Sequence, residues 1–438
     1  MMRLEDVLSE DKIPATEVER QYYFIDVAKQ ILEDKEKEAG RKLTFCVNTF
    51  GCQMNARDSE KLIGILEQVG YVQADSEDAD FVLYNTCTVR ENANNKVYGH
   101  LGYLHNKKKK NPHMMIALCG CMMQEEHVVE TIRKKYRFVD LVFGTHNIYK
   151  FAELLVRSLL SESMIVDIWK DTDQIVEDLP IERKYSFKSG VNIMFGCNNF
   201  CSYCIVPYVR GRERSRKPID IIREIEKLVA DGVVEVMLLG QNVNSYGKGE
   251  AHGVDFPALL RRLNAIEGDF LIRFMTSHPK DATPALFEAI ASCEKVSRHF
   301  HLPFQSGSNR ILKAMNRGYT REQYLELIAC ARRTVPGIAF TSDVIVGFPG
   351  ETREDFEQTL SLIREVGFVS LFTFIFSPRV GTPAALMPDP IPAEEKSAWF
   401  QEMTALQESL AAERLAGMVG SVRRALIENA CDGYLEAR

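Results

Sequence analysis

Three cysteines lie close together near the middle of the chain, at Cys197, Cys201 and Cys204. A four-iron, four-sulfur cluster ordinarily takes four cysteine thiolates, so a set of three leaves one iron open to a ligand that is not protein. S-adenosylmethionine can chelate that iron through its amino and carboxylate groups. The spacing therefore predicts a cluster that splits S-adenosylmethionine into methionine and a 5′-deoxyadenosyl radical, which removes hydrogen from unactivated carbon.

A zinc site and a disulfide-linked loop are weaker interpretations of these cysteines. Structural zinc sites favour paired cysteines in two halves and need a fourth ligand. The total of eleven cysteines is odd, and no N-terminal segment combines a basic flank with an apolar core. No run approaches the roughly 20 apolar residues that span a bilayer. These features predict a protein of a reducing compartment, the cytoplasm, in which clustered cysteines hold metal.

The N-terminal half contains three further cysteines, each of which follows a predicted strand. An alternation of apolar runs and helical segments predicts a doubly wound α/β domain, in which the loops at the carboxyl ends of parallel strands gather along one edge. The cysteines would then meet and hold a second cluster, although either Cys119 or Cys121 could reach it from the third strand. The predicted strands are Leu43–Asn48, Phe81–Asn85, Met114–Leu118 and Val139–Val142, and Cys52, Cys87 and Cys121 follow the first three.

The region from Gly190 to about Ala416 predicts repeated strand–helix units. Six such units form an open (β/α)6 partial TIM barrel, whose active site lies at the carboxyl ends of its strands. The loop with Cys197 leaves the end of the first strand. The predicted strands are Val191–Phe195, Val234–Leu239, Leu271–Thr276, His299–Phe304, Ile338–Gly347 and Val369–Phe376, and the predicted helices include Ile219–Asp231, Arg321–Arg333 and Thr352–Val366.

Polar or glycine-rich clusters follow the other strands of this predicted barrel. Each alone is typical of an ordinary turn, but together they converge on one mouth. The clusters are Gly240-Gln241-Asn242, Ser277-His278-Pro279, Gln305-Ser306-Gly307 and Gly347-Phe348-Pro349-Gly350-Glu351.

The surroundings of the two cysteine sets resemble the methylthiotransferase family of radical S-adenosylmethionine enzymes over roughly residues 43–425. That family joins an N-terminal α/β domain with an auxiliary [4Fe–4S] cluster to a radical S-adenosylmethionine barrel with a second one. The matching segments are Gly51-Cys52-Gln53-Met54-Asn55, Asn85-Thr86-Cys87-Thr88-Val89-Arg90-Glu91, Gly196 to Cys204, Arg210 to Arg216, and Leu302 to Ser308.

The resemblance implies the site residues and the domain organisation. Cys52, Cys87 and Cys121 would hold the auxiliary cluster, with Cys121 preferred because it matches the family's Gly-Cys pattern. By the same resemblance Gly240, Gln241, Asn242, Gln305, Gly347 and Glu351 would contact S-adenosylmethionine, although the family often has Gly-Gly-Glu after the second strand. The expected domains are an acidic extension (1–40), the auxiliary-cluster domain (41–160), a linker (161–187), the radical domain (188–416) and a partial TRAM-like segment (417–438).

The resemblance also implies an activity. The first segment is similar to the tRNA branch that adds a methylthio group at C2 of N6-isopentenyladenosine at position 37, using two S-adenosylmethionine molecules per turnover. The branches that act on threonylcarbamoyladenosine or on a ribosomal-protein side chain are alternatives, and a non-catalytic iron–sulfur or zinc scaffold is a third. The implied partners are tRNA through its anticodon stem-loop, an electron donor such as flavodoxin or ferredoxin, and a sulfur source, with no membrane and a monomeric enzyme.

Binding of tRNA must rest on local basic stretches, because the net charge of the chain is −7. The first candidates are Arg210, Arg212, Arg214, Arg216 and Lys217, although these arginines would also suit pairing with carboxylates such as Glu213. Lys107–Lys110 is the second choice, and such a run is more typical of a solvated helix end.

The two ends of the chain carry less information. After a predicted helix from Ala393 to Ala416, the stretch Met418 to Glu428 resembles the first strand of the small barrel with which family members grip tRNA. About twenty residues cannot close a barrel, so we expect this segment to be incomplete. We expect residues 1–40 to form a flexible acidic extension, and Cys46, Cys293, Cys330 and Cys431 to be buried, inert thiols.

Overall fold

A computed structural model describes residues 4–9, 11–88, 91–422 and 424–437 of the chain. Val89 and Arg90 of the second cysteine segment, and Arg423 of the C-terminal segment, lie outside these residues. The described helices and strands build one α/β half around each set of three cysteines.

The N-terminal half is a six-stranded parallel sheet with the strand order β2-β1-β3-β4-β5-β6. Its strands are β1 (Thr44–Thr49), β2 (Val72–Gln73), β3 (Phe81–Thr86), β4 (Met115–Gly120), β5 (Leu141–Phe143) and β6 (Ile165–Asp167). Its helices are α1 (Leu4–Val7), α2 (Glu17–Ala39), α3 (Gln53–Val69), α4 (Glu91–Lys110), α5 (Glu126–Lys135) and α6 (Phe151–Leu159), with short 3₁₀ turns at Cys121–Gln124 and Ile148–Lys150.

Both faces of this sheet are buried, which is why its central strands are almost continuously apolar. Along β3, Phe81 and Leu83 face the core formed with α2, α3 and α6, whereas Val82 and Tyr84 face the core formed with α4. The four predicted strands and the doubly wound architecture are therefore confirmed.

The expectation of a flexible extension over residues 1–40 is wrong for its second half. Helix α2 buries Phe24, Ala28, Ile31 and Leu32, whose spacing of three or four residues forms one apolar stripe. It packs on α6, where the fully buried Glu153 pairs with Arg20, Lys150 and Arg157. The helix therefore belongs to the N-terminal core.

The predicted boundary at residue 160 also needs correction. Strand β6 lies within the predicted linker 161–187, yet it pairs in parallel with β5 through Val142 and Val166. The sheet therefore extends to Asp167. The sequence analysis missed β6 because a strand of three half-buried residues carries little periodicity.

The C-terminal half contains the six predicted barrel strands. They form two parallel three-stranded ladders, β11-β10-β7 and β12-β13-β14, which adjoin at β11 and β12. The six strands are β7 (Lys188–Asn192), β10 (Glu235–Leu239), β11 (Leu271–Phe274), β12 (His299–His301), β13 (Ala339–Val346) and β14 (Ser370–Ile375). Two short strands, β8 (Met194–Phe195) and β9 (Arg214–Ser215), form a separate antiparallel pair. The open (β/α)6 architecture is confirmed.

Helices cover the outside of this half-barrel and share one apolar core with its strands, including Val191, Leu238, Ile272, Phe300 and Val344. They are α8 (Pro218–Ala230), α9 (Phe256–Asn264), α10 (Pro284–Ser292), α11 (Asn309–Ala314), α12 (Arg321–Thr334), α13 (Arg353–Val366) and α14 (Ala393–Ala416), with 3₁₀ turns at Val243–Ser245, Pro279–Asp281 and Pro383–Leu386. The short helix α7 (Val206–Arg210) follows Cys204 and packs against the N-terminal half instead.

The C-terminal segment differs from the prediction. Residues 417–422 form no strand, and a two-stranded antiparallel hairpin follows instead, made of β15 (Ile427–Cys431) and β16 (Tyr434–Ala437). Cys431 is therefore half-buried on a hairpin, and Cys330 is half-buried too, whereas Cys46 and Cys293 are buried as expected. Among the described residues, no helix has the length and apolar character needed to cross a bilayer.

Candidate active site

The loop with Cys197, Cys201 and Cys204 begins where β8 ends, at the carboxyl end of the first barrel strand. Gly196 starts it with φ of 77°, and a Cβ atom there would lie 2.0 Å from the carbonyl oxygen of Arg212. The backbone N–H of Gly196 donates to Oε1 of Gln241, 2.5 Å away. Only glycine therefore fits at the start of this loop.

Burial makes Cys197 and Cys204 weak acids. Desolvation raises the pKa of Cys197 to about 11 and the pKa of Cys204 to about 12, and the neighbouring Cys201 raises both further. The thiolates need nearby positive charge, which iron supplies on binding.

A buried arginine that the sequence analysis missed, Arg317, contacts this cysteine set. Its Nη1 lies 3.3 Å from Sγ of Cys201, its Nη2 donates to the carbonyl oxygen of Pro303 at 2.8 Å, and its Nε donates to the hydroxyl of Tyr319 at 3.1 Å. Arg317 lies more than a hundred residues from Cys201 in the chain, so no local pattern signals this contact.

The second cysteine set lies at the carboxyl edge of the N-terminal sheet. Cys52 is the N-cap residue of α3, Cys87 follows β3, and Cys121 opens the 3₁₀ turn after β4. Helix N-termini favour negative charge. Oδ1 of Asn55 lies 3.6 Å from Sγ of Cys52 and 3.9 Å from Sγ of Cys121, so these two sulfur atoms face the same point.

Asn55 holds the loops that carry these cysteines together. Its side-chain Nδ2 donates to the backbone carbonyl oxygens of Phe50 and Thr86, both at 2.9 Å. Its backbone carbonyl oxygen accepts from the side-chain Nδ2 of Asn85 at 2.8 Å. One fully buried amide therefore ties the end of β1 to the end of β3.

The structure places Cys119 and Cys121 in different surroundings. Cys119 packs in the apolar core beneath β4, where burial raises the pKa of its thiol well above the usual value. Cys121 lies beside Ile205 and Val209 of the other half and receives an N–H from Arg210 at 3.2 Å. This arrangement favours Cys121 as the third ligand of the auxiliary set.

The auxiliary set suits an iron–sulfur cluster better than a single zinc ion. Among the described residues, no three His, Cys, Asp or Glu side chains approach closely enough to chelate one metal ion. In a four-iron cluster each thiolate binds a different iron, so the ligands surround a larger body. Cys52, Cys87 and Cys121 lie on three separate loops, with the cationic Arg210 beside one sulfur, and they meet that requirement.

Replacing Gly51 with alanine is expected to remove the auxiliary cluster. A Cβ atom at Gly51 would lie 2.7 Å from Sγ of Cys87, and φ of 113° disfavours any side chain. Iron counting after anaerobic reconstitution should show a loss of about four irons per chain relative to the parent. Gly99→Ala is the matched control, because Gly99 lies in a helix with open space around its Cα. Unchanged iron in Gly51→Ala would contradict this assignment.

Buried polar atoms without hydrogen-bond partners line the mouth of the half-barrel, among the described residues. They are Oδ1 of Asn242, Oγ of Ser277, Nε2 of His278, Oε1 of Gln305 and Oε1 of Glu351. All follow barrel strands, and Gln305 holds a left-handed φ of 67°. Such atoms cost free energy unless a ligand satisfies them. The mouth therefore suits a polar ligand such as S-adenosylmethionine.

The remaining predicted cofactor contacts have structural partners of their own. The Gln241 side chain contacts Gly196 and the sulfur of Met54, so it braces the cluster loop against the N-terminal half. Gly240 has no room for a side chain, because a Cβ atom there would lie 2.6 Å from Cγ of Met194. Asn242 donates one N–H of its side-chain amide to Asp281 at 2.7 Å, and the amide oxygen has no partner among the described residues.

Glu351 organises the turn after β13. Its Oε2 accepts the backbone N–H groups of Gly347 and Phe348 at 2.6 and 3.3 Å, and Gly347 has φ of 69° beneath the aliphatic part of Lys396. Burial raises the pKa of Glu351 to about 7, although the two N–H groups partly oppose this.

Glu351 is expected to make the protein less stable as pH rises. The carboxyl of Glu351 loses its proton near pH 4.5 in the unfolded chain and near pH 7 in the folded one. Preferential protonation of the folded state therefore stabilises the protein fully below pH 4.5, and this stabilisation is lost as the pH rises through 7. We measure the free energy of unfolding by urea at pH 5 and at pH 8. Between these values, the free energy of unfolding of Glu351→Gln should fall by about 2 kcal/mol less than that of wild type. Glu354 is exposed, so Glu354→Gln should show the same dependence of stability on pH as wild type. If Glu351→Gln also shows the wild-type dependence on pH, the prediction is refuted.

The structure corrects the predicted role of two arginines in tRNA binding. Arg210 is 5% exposed and pairs with Asp58 at 2.9 Å, and Arg216 is 6% exposed and pairs with Glu177 and Glu224 at 2.5 and 2.7 Å. Neither guanidinium faces solvent, so neither can contact a phosphate. Arg210 and Arg216 therefore both take the alternative role given for these arginines, which is pairing with carboxylates.

Arg212 remains available on the surface of the cluster loop. Its guanidinium lies over the ring of Phe200, 4.4 Å from the centroid, and Tyr208 packs edge-on against the same ring. Arg214 is half-buried and donates to the carbonyl oxygen of Thr172. The run Lys107–Lys110 ends α4, as expected of a solvated helix end, and Lys108 pairs with Asp140.

Comparisons with known proteins agree with this geometry. One family model, the Radical SAM superfamily, matches residues 191–363. A second, described as "Uncharacterized protein family UPF0004", matches residues 44–144. The two matched regions contain the two cysteine sets, one each.

Curated relatives match most of the chain. A tRNA-2-methylthio-N(6)-dimethylallyladenosine synthase from Lachnoclostridium phytofermentans is 62% identical over 85% of this chain and 82% of its own length. A protein of the same name from Clostridioides difficile is 51% identical over 95% of this chain and 87% of its own.

Among solved structures, the radical S-adenosylmethionine methyltransferase TsrM from Kitasatospora setae has a TM-score of 0.57 at 15% identity, over 79% of this chain and 77% of that one. The cobalamin-dependent radical enzyme OxsB has a TM-score of 0.53 at 12% identity, over 85% and 56% of the two chains. At these identities the likeness shows the fold alone.

Proposed function

The chain belongs to the family of tRNA-2-methylthio-N(6)-dimethylallyladenosine synthases, and we propose how its two cysteine sets divide the work of that reaction. The protein is a radical S-adenosylmethionine methylthiotransferase that acts on tRNA and uses [4Fe–4S] clusters. It adds a methylthio group at C2 of N6-isopentenyladenosine at position 37.

Cys197, Cys201 and Cys204 bind the cluster that activates S-adenosylmethionine, and Cys52, Cys87 and Cys121 bind the auxiliary cluster. Held there, the first cluster would supply the electron for radical chemistry on S-adenosylmethionine, the auxiliary cluster would supply sulfur, and S-adenosylmethionine would supply the methyl group. The observation that carries the proposal is that each set lies at the carboxyl edge of its own parallel sheet, and that Arg210, six residues after Cys204, touches Cys121.

The residues around the barrel mouth orient the substrate and cofactor. The orphaned atoms of Asn242, Gln305 and Glu351 provide polar contacts for S-adenosylmethionine, and Gly347 allows the left-handed turn that Glu351 organises. Gln241 accepts the backbone N–H of Gly196 and so holds the start of the loop that carries Cys197. Gly240 leaves room for Met194, which lies just before that loop. Correct placement of the reacting groups is the protein's main contribution to a cofactor reaction.

The surface formed by Phe200, Tyr208 and Arg212 is a binding platform for the anticodon loop. Aromatic rings stack on unpaired bases, and an arginine beside them neutralises phosphate. The platform belongs to the same loop as the three cysteines, so a base held there lies at the mouth. An adenine in a loop is extruded at a cost of only a few kcal/mol.

The further partners follow from the chemistry. Reduction of the cluster needs an electron donor such as flavodoxin or ferredoxin, and each turnover consumes a sulfur atom that a separate source must restore. The enzyme acts as a monomer, in the cytoplasm.

Substrate choice tests this function. Reconstituted protein with dithionite and S-adenosylmethionine should methylthiolate an anticodon stem-loop that carries isopentenyladenosine, and should leave the same stem-loop with unmodified adenosine untouched. A stem-loop with threonylcarbamoyladenosine is the matched alternative. Methylthiolation of the latter alone, or 5′-deoxyadenosine without any methylthiolated product, would contradict the proposal.

A further inference from the structure

Helix α7 is a short bridge between the two cysteine sets. It begins at Val206, two residues after Cys204 of the radical set, and ends at Arg210, whose side chain enters the auxiliary set. Pro207 and Val209 are buried along it, and Val209 packs against Cys121. One five-residue helix therefore connects a ligand of one cluster to the surroundings of the other.

The contacts of Arg210 are directed at the auxiliary set. Its Nε lies 3.2 Å from Sγ of Cys121, its Nη2 donates to Oδ1 of Asn55 at 2.8 Å, and its Nη1 pairs with Asp58 at 2.9 Å. Asn55 Oδ1 is the atom that also faces Cys52. Every edge of the guanidinium therefore has a partner on helix α3 or on the third cysteine.

A simple ion pair with Asp58 would account for one of these edges only. An arginine that served merely to join the halves would not need to direct Nε at a sulfur atom in a buried site. A cationic N–H donor close to a ligating sulfur stabilises the more negative, reduced state of an iron–sulfur cluster, because hydrogen bonds and net charge set its reduction potential. The geometry fits that role.

We propose that Arg210 is a positioning residue that fixes Cys121 and raises the reduction potential of the auxiliary cluster from the opposite half of the protein. This inference rests on the proposed function, in which Cys52, Cys87 and Cys121 hold that cluster. Through α7, the loop that binds one cluster sets the electrostatics of the other.

The test isolates the auxiliary cluster in the full chain by replacing Cys197, Cys201 and Cys204 with alanine. In this parent, the Arg210→Met/Asp58→Asn double variant removes the N–H donor while keeping the local net charge unchanged. Dithionite-poised titration followed by electron paramagnetic resonance reports the one-electron reduction of the cluster. We expect at least a tenfold shift toward the oxidised form, which corresponds to about 59 mV.

Two further variants make each outcome decisive. Arg183→Gln is the control, because Arg183 pairs with Asp231 at the edge of the same interface and, within the described part of the chain, has no recorded contact with a cysteine. Arg210→Lys keeps the charge but shortens the reach to Cys121, and should shift the potential in the same direction. Loss of iron in both Arg210 variants, with folding retained and iron retained in Arg183→Gln, would support the positioning role.

An unchanged potential with four irons retained in the Arg210 variants would overturn the inference and leave the proposed function intact. A parent that binds no cluster would instead refute the auxiliary site, and the proposed function with it. The two failures are therefore distinguishable in one set of samples.

Discussion

Alanine at Cys197, Cys201 and Cys204 together is expected to reduce 5′-deoxyadenosine formation to background and to abolish methylthiolation. The three thiolates are the only protein ligands we assign to the cluster that binds S-adenosylmethionine, so their loss removes the open iron. The auxiliary set lies on a different sheet and should keep about four irons. Chromatography of the reaction products, together with iron counting, measures both effects.

The control for this prediction is Cys293→Ala. Cys293 is 4% exposed and belongs to the apolar core of the same half-barrel, away from the strand ends. Cys293→Ala should still form 5′-deoxyadenosine and methylthiolated product, with only a modest loss of folding stability. Persistent 5′-deoxyadenosine in the triple variant would show that the wrong cysteines have been assigned.

Replacing Glu224 with alanine is expected to destabilise the interface between the two halves by about 3 kcal/mol. Glu224 on α8 pairs with Arg57 on α3 and with Arg216 at 2.7 Å, and both arginines are nearly buried. Although burial opposes its ionisation, Arg216 and Arg57 hold the pKa of Glu224 below its usual value. Removing the Glu224 carboxylate leaves Arg57 and Arg216 buried, each with one acidic partner fewer.

Urea unfolding of the metal-free protein measures this loss. Glu226→Ala is the matched control, because Glu226 is exposed on the same helix. Since the pKa of Glu224 is lowered, its contribution is present above the unfolded value of 4.5 and lost on acidification, so the difference between the variants should shrink at low pH. Equal stability of the two variants at neutral pH would contradict the role of this pair.

The strands and the cysteine positions could be predicted because both depend on local sequence. Buried parallel strands such as β3 and β10 are continuous apolar runs, and their ends are marked by polar or glycine residues. Cys87 and Cys197 follow such runs directly. The order of strands and loops therefore predicts that the cysteines lie at the sheet edges.

Helix α2 was missed for a compositional reason. Its many Glu and Lys residues suggest a solvated segment, but Phe24, Ala28, Ile31 and Leu32 repeat at helical spacing, and Gly40 ends the helix with φ of 69°. The hydrophobic period was the signal that could have identified it.

The roles of Arg210 and Arg317 could not be read from sequence at all. Each contacts a cysteine about 90 or more residues away, so only the packed structure brings them together. The run from Arg210 to Arg216 has an arginine at every second position, yet Arg210 and Arg216 are buried in ion pairs and Arg212 is exposed. Charge alone does not tell a phosphate contact from an internal partner.

The most direct test of the account is Mössbauer spectroscopy with iron counting on anaerobically reconstituted wild type and on the two triple-alanine variants. Two separate clusters predict about eight irons in wild type and about four in each variant. The variant lacking Cys52, Cys87 and Cys121 should still form 5′-deoxyadenosine but no methylthiolated adenine. About four irons in wild type, or methylthiolated product from that variant, would contradict the division of work between the two sets.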